Sequence, residues 1–509
     1  MNCAFVFALL VPLLPLLAAG GVTLHVLAGA AGDDAEPPTA RLAEGAATLS
    51  LLLLLGLDGL AMFEGAPGAM VLGTWFASGG FVAPLSLTLD PLSLAFATLV
   101  ALIGLISLRF SRTYLHRELA FHRFFIGMLL FLAGMQTIVL AGNAVLTFVG
   151  WELAGVSSFL LIGYAYDKPV PTGNALYAFL TNRIGDAGLI LGISLAAVWL
   201  GTVEWAQLAA WAGDAARFDK VTARLLVFGF IVAAIAKSAQ FPLSAWIARA
   251  LEGPTPSSAI FYGAVMVHAG VYLVIRLAPV LVQVPDIMVY IALVGALTAL
   301  YGWLAGLVQT DVKSALIFAT TTQVGLMFLA CGLGWFEFAA WHMGLHAAWR
   351  AYQFLMAPSY MHLVNRKAAP PPRWLANRQW LYTAALQRFW LEHVARHALV
   401  RPTQAIGHDM RDLDDRVLSH LVGMPGREYV DAQGGTDEVI RGHGLAGRLL
   451  VWAAERCAAL EAYLMLHRAE GPLTEVFGRL GGYLRVIESM LEQPRYLLLL
   501  VAATFAVIL

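Results

Sequence analysis

The stretch that decides the fold is residues 226–276, LVFGFIVAAIAKSAQFPLSAWIARALEGPTPSSAIFYGAVMVHAGVYLVIR. It contains two apolar segments, each about long enough to cross a bilayer, joined by a turn in which Pro254 and Pro256 are predicted to break the helix. Lys237 lies near the middle of the first segment, and Pro242 follows it. Proline removes a helix hydrogen bond and distorts the helix beside that charge. A charge next to a helix break at mid-membrane depth predicts an ion site.

An alternative interpretation is that the Lys237 side chain extends along its helix to the nearer membrane surface. A long apolar run precedes Lys237, however, and a polar Ser-Ala-Gln sequence (238–240) follows it. A lysine near the centre of a span costs roughly 2.5–3.5 kcal/mol on insertion scales, so it is seldom accidental. We therefore expect Lys237 to belong to an ion pathway.

The composition indicates a polytopic membrane protein. Of the 509 residues, 59% are apolar and 13% are charged, and the mean hydropathy is +0.72. The net charge of −1 argues against a nucleic-acid partner. Three cysteines without paired spacing (Cys3, Cys331 and Cys457) support neither a disulfide framework nor a cysteine metal site. The N-terminus lacks a basic start, which predicts a retained first span rather than a cleaved signal.

Apolar blocks of spanning length predict an all-α fold with about twelve transmembrane helices, the seventh of which is discontinuous. The blocks lie at 4–29, 45–63, 91–108, 124–141, 144–165, 175–201, 222–247, 257–280, 286–308, 314–334, 338–363 and 496–509. The last block is short, so whether it crosses the membrane is left open. Residues 64–90 predict an irregular or hairpin segment with Gly-Gly turns, and residues 203–221 predict a surface helix.

We divide the chain into N-terminal helices (1–110), an antiporter-like transmembrane core (111–365), amphipathic helices (366–493) and a terminal apolar helix (494–509). The loop 109–123 and the start of the tail, 366–378, are strongly basic, so the positive-inside rule predicts that both are cytoplasmic. The acidic first loop, with Asp33, Asp34 and Glu36, then also lies inside, against that rule.

The tail follows a proline-rich linker (368–372) and has apolar residues at helical spacing, such as Leu386, Phe389, Trp390 and Val394. Helices of this kind either lie on the membrane or dock a cytoplasmic partner. We favour docking, because the polar faces carry as many acids as bases. A helix that binds anionic lipid would be more uniformly basic.

Ionisable side chains also lie inside other predicted spans. They are Glu152 on the fifth span, Arg183 and Asp186 on the sixth, His268 on the eighth, and His342, His346 and Arg350 on the eleventh. Arg183 and Asp186 share one helix face, and the three residues of the eleventh span form a stripe at i, i+4 and i+8. Charges inside a membrane are expensive, so each of these needs a partner.

Together with Lys237, these residues predict a proton or cation pathway. Movement of Glu152 relative to Lys237 would load and unload a proton, because a nearby carboxylate favours the charged ammonium. Histidines extend such a relay because they titrate near neutral pH. The alternative is that the charges form static salt bridges between helices, and it stays open above all for Arg183 and Asp186.

His342 and His346 also have the spacing of metal ligands. No carboxylate or cysteine accompanies them on that helix, so we predict no metal site in this chain. The sequence has no Gly-rich phosphate loop, no nucleophile constellation and no CxxC motif. We therefore expect an ion-translocating subunit that binds no cofactor, rather than a self-contained enzyme.

Six motifs resemble the core of the antiporter-like subunits, the family of the largest proton-pumping membrane subunits of respiratory complex I, multisubunit Na+/H+ antiporters and membrane hydrogenases. They are FVGWELAGVSSFLLIGY, TNRIGDAGLILG, AKSAQFPLSAWIARALEGPTPSSA, MVHAGVYLVIR, LVQTDVKSALIFATTTQVGLMFLA and HMGLHAAWRAYQFL. The resemblance covers about residues 85–360. It implies that Glu152 and Lys237 form the coupling ion pair, and that the polar axis continues through the eighth and eleventh spans.

Three features depart from that family pattern. Tyr262 stands where the eighth-span histidine is usual, with His268 further along. Arg350 replaces the eleventh-span lysine and cannot release a proton. The second discontinuous helix with its lysine, normally the twelfth span, is missing, since the chain passes after residue 363 into the proline-rich linker. The region 385–509 resembles a remnant of the family's lateral helix and last span.

This layout is most similar to the membrane subunit of the DAB inorganic-carbon accumulation complex (DabB-type). The resemblance implies a large cytoplasmic zinc-binding partner similar to a β-carbonic anhydrase (DabA-type), docked on residues 366–493. It also implies a bacterial inner-membrane location. Flow of H+ or Na+ through this subunit would then drive hydration of CO2 to bicarbonate.

Two other functions stay open. The chain could be a proton-translocating subunit of a redox-driven pump, a membrane hydrogenase or a multisubunit antiporter, although the missing lysine helix argues against this. It could also be a membrane anchor whose charges are structural.

Overall fold

The computed structural model describes residues 3–29, 32–78, 81–357, 370–413, 452–453 and 455–457. The chain divides into two compact units, Met1–Arg396 and His397–Leu509. The second unit contains the amphipathic helix α19 (Arg401–Leu413). The ion-pathway residues all belong to the first unit.

The first unit is built almost entirely of helices. In chain order its elements are α1 (Cys3–Leu27), α2 (Glu36–Glu64), β1 (Gly68–Ser78), β2 (Phe81–Leu89), α3 (Pro91–Tyr114), α4 (Phe121–Leu140), α5 (Ala144–Ile162), α6 (Pro169–Leu195), α7 (Trp205–Gly213), α8 (Lys220–Lys237), α9 (Trp246–Arg249), α10 (Thr255–Ser258), α11 (His268–Arg276), α12 (Ala278–Leu281), α13 (Pro285–Gly306), α14 (Val312–Gly332), α15 (Phe336–Met356), α16 (Arg373–Ala376), α17 (Gln379–Leu386) and α18 (Leu391–Ala395).

The predicted class, a polytopic helical membrane protein, is confirmed. Among the described residues, eight helices are long and apolar enough to cross a membrane. They are Ala4–Leu27, Asp33–Glu64, Pro91–Tyr114, Phe121–Leu140, Ala144–Ile162, Pro169–Leu200, Pro285–Gly306 and Val312–Gly332. The predicted seventh, eighth and eleventh spans are shorter, interrupted or more polar because they carry charged and histidine side chains. The predicted twelfth span, 496–509, lies outside the described residues.

Between α2 and α3 the chain forms an antiparallel hairpin, in which β1 pairs with β2 from Ser78 opposite Phe81 to Gly68 opposite Leu89. This confirms the hairpin expected within residues 64–90. This two-stranded sheet is the one sheet among the described residues, and the rest of the regular structure is helical. The alternation of apolar and small residues in the two strands suits a ribbon that packs on the helix ends.

Contacts at the helix ends define two faces of the bundle. At one face, which we call the hairpin face, β2 and the start of α5 are linked by a bridge between Leu87 and Ala141. At the opposite helix ends, Tyr114 Oη lies 3.0 Å from Thr255 Oγ1, and Lys313 Nζ donates to the same hydroxyl at 2.6 Å. We call this the arginine face, because the loop after α3 carries Arg117.

The acidic first loop lies at the arginine face. Glu36 accepts a hydrogen bond from the Arg117 backbone N–H at 2.8 Å and contacts His116 Nδ1 at 2.7 Å, and Asp33 lies 3.5 Å from Arg117 Nε. The acids therefore neutralise part of the basic loop. This pairing explains why they lie on the same side as the arginines against the charge rule.

Helices α13 and α14 cross closely because glycines face each other. A Cβ added to Gly295 would lie 2.6 Å from the Gly325 carbonyl oxygen, and one added to Gly325 would lie 2.6 Å from the Ala299 nitrogen. Small residues at such crossings let helix backbones approach, which is how membrane helices gain packing energy.

We expect Gly295→Ala to destabilise the bundle by about 1–3 kcal/mol, because the methyl group forces the two backbones apart. Thermal unfolding of the purified protein in detergent measures the change. Gly45→Ala on α2 is the matched control, since nothing lies within 4 Å of the added Cβ. A midpoint for Gly295→Ala equal to that of the control would contradict the prediction.

The first tail helices pack on the arginine face of the bundle. The Trp374 and Trp303 rings stack with centroids 5.5 Å apart, and Leu375 and Ala385 join Val308 in a small buried cluster. Thus this part of the predicted docking region covers the chain's own helices. Docking of a partner on 366–493 stays a prediction, and residues 494–509 lie outside the described part of the chain.

Candidate ion-conducting site

The break in the seventh span begins directly after Lys237, the last residue of α8. Ala239 adopts a positive φ of 50°, and a 3-10 turn (Leu243–Ala245) leads after Pro242 into α9. The break leaves backbone groups without helical partners, and side chains supply new ones. Trp246 Nε1 donates to the Ala236 carbonyl at 3.0 Å, and Thr298 Oγ1 accepts from the Phe241 N–H at 2.9 Å. Such replacement bonds are what allow an irregular backbone at membrane depth.

Lys237 is fully buried at this break, with 0% of its surface exposed. Its Nζ donates to the Trp151 carbonyl oxygen at 3.0 Å and lies 5.0 Å from the centre of the Trp151 ring. A carbonyl oxygen and an aromatic face stabilise an ammonium without neutralising it. The charge of Lys237 therefore depends on the acids around it.

Arg183 holds the two nearest acids of the site. Its Nη1 donates to Glu152 Oε2 at 2.5 Å, and its Nη2 lies 2.7 Å from Asp186 Oδ2. Asp186 is buried, whereas Glu152 and Arg183 are partly exposed at the side of the bundle. The interpretation that Arg183 and Asp186 contact each other on one face of α6 agrees with this geometry.

The expected direct ion pair between Glu152 and Lys237 is not formed: among the described residues, no ion pair links them. The physical reason is local. Trp151 and Glu152 are consecutive on a helix, so their side chains point about 100° apart. Lys237 takes the backbone carbonyl of the first, while the carboxylate of the second turns to Arg183.

Gly155 brings the two cations close together. A Cβ at this position would lie 3.2 Å from Arg183 Nη2 and 3.5 Å from Lys237 Nζ. The missing side chain therefore leaves one small space bordered by both positive groups. Two cations and two carboxylates share the site, so a small shift of Arg183 changes which cation each acid faces.

A second polar cluster lies across the break, on α11 and α15. His268 Nε2 and His346 Nδ1 are 3.0 Å apart, and Arg350 Nε lies 3.4 Å from His346 Nε2 and donates to it. Because His346 Nε2 accepts that bond, its proton is on Nδ1 and is donated to His268. Arg350 thus orients His346 without exchanging protons itself.

The predicted stripe of the eleventh span is split between two neighbours. His346 and Arg350 are buried and face His268, while His342 Nε2 lies 2.9 Å from Gln323 Oε1 on α14. Sequence reasoning missed Gln323, although the polar run from Thr320 to Gln323 inside an apolar span was a usable signal. Among the described residues no group of three or more His, Cys, Asp or Glu side chains could hold a metal ion.

The two clusters meet at the break. Ser238, next to Lys237, donates to the Val267 carbonyl at 2.6 Å, directly before His268. Gly270 lets α11 approach α8 closely, since an added Cβ would collide with Ala234 and Ser238. Lys237 and His268 are therefore placed on adjoining turns of two packed helices. Of the three predicted break-forming prolines, Pro254 and Pro256 lie at the start of α10, on the arginine face.

Comparison with known proteins decides the family. Residues 141–369 match the family model described as "NADH:quinone oxidoreductase/Mrp antiporter, TM", and residues 75–125 match "NADH-Ubiquinone oxidoreductase (complex I), chain 5 N-terminus". The chain belongs to the antiporter-like membrane-subunit family of complex I and Mrp. The family resemblance expected from the motifs is thus confirmed.

Curated relatives of this antiporter-like subunit include NADH-quinone oxidoreductase subunit L of Mycobacterium tuberculosis, 39% identical over 330 residues, 64% of this chain and 51% of the relative. The chloroplastic NAD(P)H-quinone oxidoreductase subunit 5 of Nephroselmis olivacea is 37% identical over 362 residues, 69% of this chain and 55% of the relative. The chain spans about half the length of these relatives.

Two solved structures share the fold. A chain of the Mrp complex from a Dietzia species is 30% identical with a TM-score of 0.57, covering 68% of this chain and 37% of that chain. A chain of the membrane-bound sulfane sulfur reductase, an archaeal respiratory membrane complex, has a TM-score of 0.58 at 23% identity, covering 71% of this chain and 57% of that chain. At that identity the second likeness shows the fold alone.

At its hairpin face the antiporter-like subunit is closed by an ion pair that sequence reasoning missed. Arg276, at the end of α11, binds Asp90, which caps α3, and also donates to Tyr272 Oη at 2.5 Å. Tyr272 donates in turn to the Val139 carbonyl at 2.6 Å. Burial raises the pKa of Asp90, but Arg276 and Ser93 outweigh burial and hold that pKa below its usual value. The clamp joins α3, α4 and α11.

Proposed function

We propose that this chain is a proton-conducting (or Na+-conducting) membrane subunit that couples ion flow to an inorganic-carbon transport complex. The observation that carries the proposal is Lys237, a lysine with no exposed surface at a helix break. It borders, across Gly155, the arginine that binds two carboxylates, and it adjoins a histidine pair. A static salt bridge would require neither the helix break, nor the missing side chain at Gly155, nor the histidine pair.

The geometry supports a two-state mechanism. When Arg183 binds both Glu152 and Asp186, neither acid neutralises Lys237. A charged ammonium without a counter-charge is then costly at this buried position. Its proton then passes toward His268 and His346 on the other side of the break. When Arg183 turns away, Glu152 faces Lys237 and favours a newly protonated ammonium. Movement of one guanidinium therefore loads and unloads the lysine.

The inorganic-carbon role is the finer part of the proposal and rests on the layout of the chain. Among the described residues, no second broken span follows α15, and helices α16–α18 have four, eight and five residues, too few to cross a membrane. Within the part of the chain that the structure describes, there is one lysine break, at Lys237. The subunit therefore suits delivery of ions toward a cytoplasmic partner, a zinc-binding β-carbonic-anhydrase-like subunit that converts CO2 to bicarbonate.

A second function is favoured by the comparisons. The relatives are named as subunits of NADH-quinone oxidoreductases and of an Mrp complex. In this alternative the chain translocates protons within a complex I-like, hydrogenase or multisubunit antiporter assembly.

Co-purification separates the two functions. The tagged chain is extracted from its native membrane in mild detergent, and its partners and metal content are measured by mass spectrometry and elemental analysis. We expect one large soluble partner with about one zinc ion per subunit, as a catalytic zinc site requires. Several small membrane subunits without zinc would overturn the inorganic-carbon role and support the alternative.

A further inference from the structure

Between the break and the arginine face, the seventh span carries buried polar groups that the proposed mechanism does not use. Gln240 and Ser244 are both 0% exposed. Among the described residues, Gln240 Oε1 has no hydrogen-bond partner, whereas the Ser244 hydroxyl lies beside the Tyr301 hydroxyl. A buried polar atom without a partner costs about 1–3 kcal/mol, and bound water commonly satisfies such atoms. Gln240 therefore offers a place for bound water between Lys237 and the arginine face.

A segment of the tail covers this part of the seventh span. Helix α18 packs against the 3-10 turn that contains Ser244. Glu392 on α18 forms an ion pair with Arg249, the last residue of α9, and lies 3.8 Å from Arg388. Arg249 also donates to Asn174 on α6 at 2.9 Å. One carboxylate thus ties the tail to the second half of the broken span.

The backbone before α18 is held in an unfavourable conformation. Arg388, Phe389 and Trp390 have φ angles of 51°, 55° and 55°, which side chains other than glycine seldom adopt. Contacts keep them there: the Phe389 ring meets Tyr301 at 6.0 Å, and the Arg388 guanidinium lies 5.6 Å from the Phe318 ring centre. Strain of this kind persists only where surrounding contacts fix it, and it favours release when they are lost.

We propose that water reaches Lys237 from the arginine face past Gln240 and Ser244, and that residues 388–395 form a latch over this water route. The Arg249–Glu392 ion pair holds the latch shut. The inference deepens the proposed function. It rests on that function in one respect only, which is that the route leads to Lys237. Release of Glu392 frees α18 from the turn at Ser244 and lets the strained segment relax. Water then reaches the break, so the tail controls access of ions to the lysine.

Cysteine labelling tests the latch without measuring transport. The variant Ser244→Cys is made in a background with Cys3→Ser, Cys331→Ala and Cys457→Ser, within the intact complex in membrane vesicles. A charged, water-soluble methanethiosulfonate reagent is added from the arginine face. We expect slow labelling with the latch intact, and labelling at least about tenfold faster when Glu392→Gln is added, since a partly buried ion pair loses its anchor.

Two controls keep the outcome clear. Asp286→Asn breaks a comparable ion pair, with Arg224 at 2.7 Å, at the start of α8 and α13, and should leave the labelling rate unchanged. Exchanging the charges, Arg249→Glu with Glu392→Arg, should restore slow labelling. Equal rates with and without Glu392→Gln would overturn the latch. Labelling reports water access alone, so a failed latch leaves the Lys237 pathway standing, and transport that survives loss of Lys237 leaves the latch standing.

Discussion

Replacing Lys237 with alanine is expected to abolish ion-driven transport while the complex still assembles. The substitution removes the only buried lysine described at a helix break, the group that we propose takes up and releases the proton. For the proposed inorganic-carbon role, uptake measured with labelled bicarbonate in cells should fall by at least about tenfold, a barrier increase of about 1.4 kcal/mol or more. Proton flux into vesicles that contain the purified complex should fall with it.

Lys220→Ala is the matched control, because Lys220 begins the same helix but is exposed. It should transport normally and yield the same amount of assembled complex. Normal uptake by the Lys237→Ala variant would contradict the ion-pathway proposal. If that activity also survived a protonophore, the chain would instead be a membrane anchor whose charges are structural.

The second large effect is expected for Glu152→Gln. The amide keeps the shape of the side chain but cannot favour a charged Lys237 when Arg183 turns away. Arg183 would keep its contact with Asp186, so the helices should stay packed. We expect uptake to fall by about tenfold or more, close to the loss for Lys237→Ala, because both changes stop the same step.

The matched control for this change is Glu337→Gln, which neutralises an exposed acid in the first turn of α15. The double variant Glu152→Gln with Lys237→Ala distinguishes a shared step from two separate ones. A double loss no larger than either single loss supports the shared step. Losses that multiply would show that Glu152 acts independently of Lys237.

Much of the architecture could be predicted, because insertion into a membrane depends on local composition. The runs of apolar residues located α1, α4, α5, α13 and α14 to within three residues at each end. Helix α2 begins nine residues before its predicted block, α3 ends six residues after its block, and α6 lies six residues earlier than predicted. The hairpin was expected from the glycine turns in 64–90, and the helix break from Pro242 beside Lys237. The break's start at residue 238 could not be predicted, since it depends on Trp246 and Thr298 bonding the freed backbone groups.

The members of the candidate site were also found from the sequence, because ionisable side chains stand out in apolar spans. Their pairing was not. Glu152 binds Arg183 instead of the expected Lys237. On α15, His346 contacts His268, whereas His342 contacts Gln323. Tyr262 was weighed as a replacement for a histidine, but its side chain lies outside the described part of the chain.

By itself, the sequence determined which segments enter the membrane, that the seventh span breaks near Pro242 and which charges lie inside. The segments and charges follow from the cost of placing a residue in lipid, and the break follows from the proline. Only the tertiary structure decided which groups meet. Which groups become partners depends on how closely the helices cross. Glycines such as Gly155 and Gly270 set those distances, and they lie far in the sequence from the groups that they bring together. For the same reason the structure, rather than the pattern of apolar residues, placed the first tail helices against the chain's own bundle, with Glu392 on Arg249.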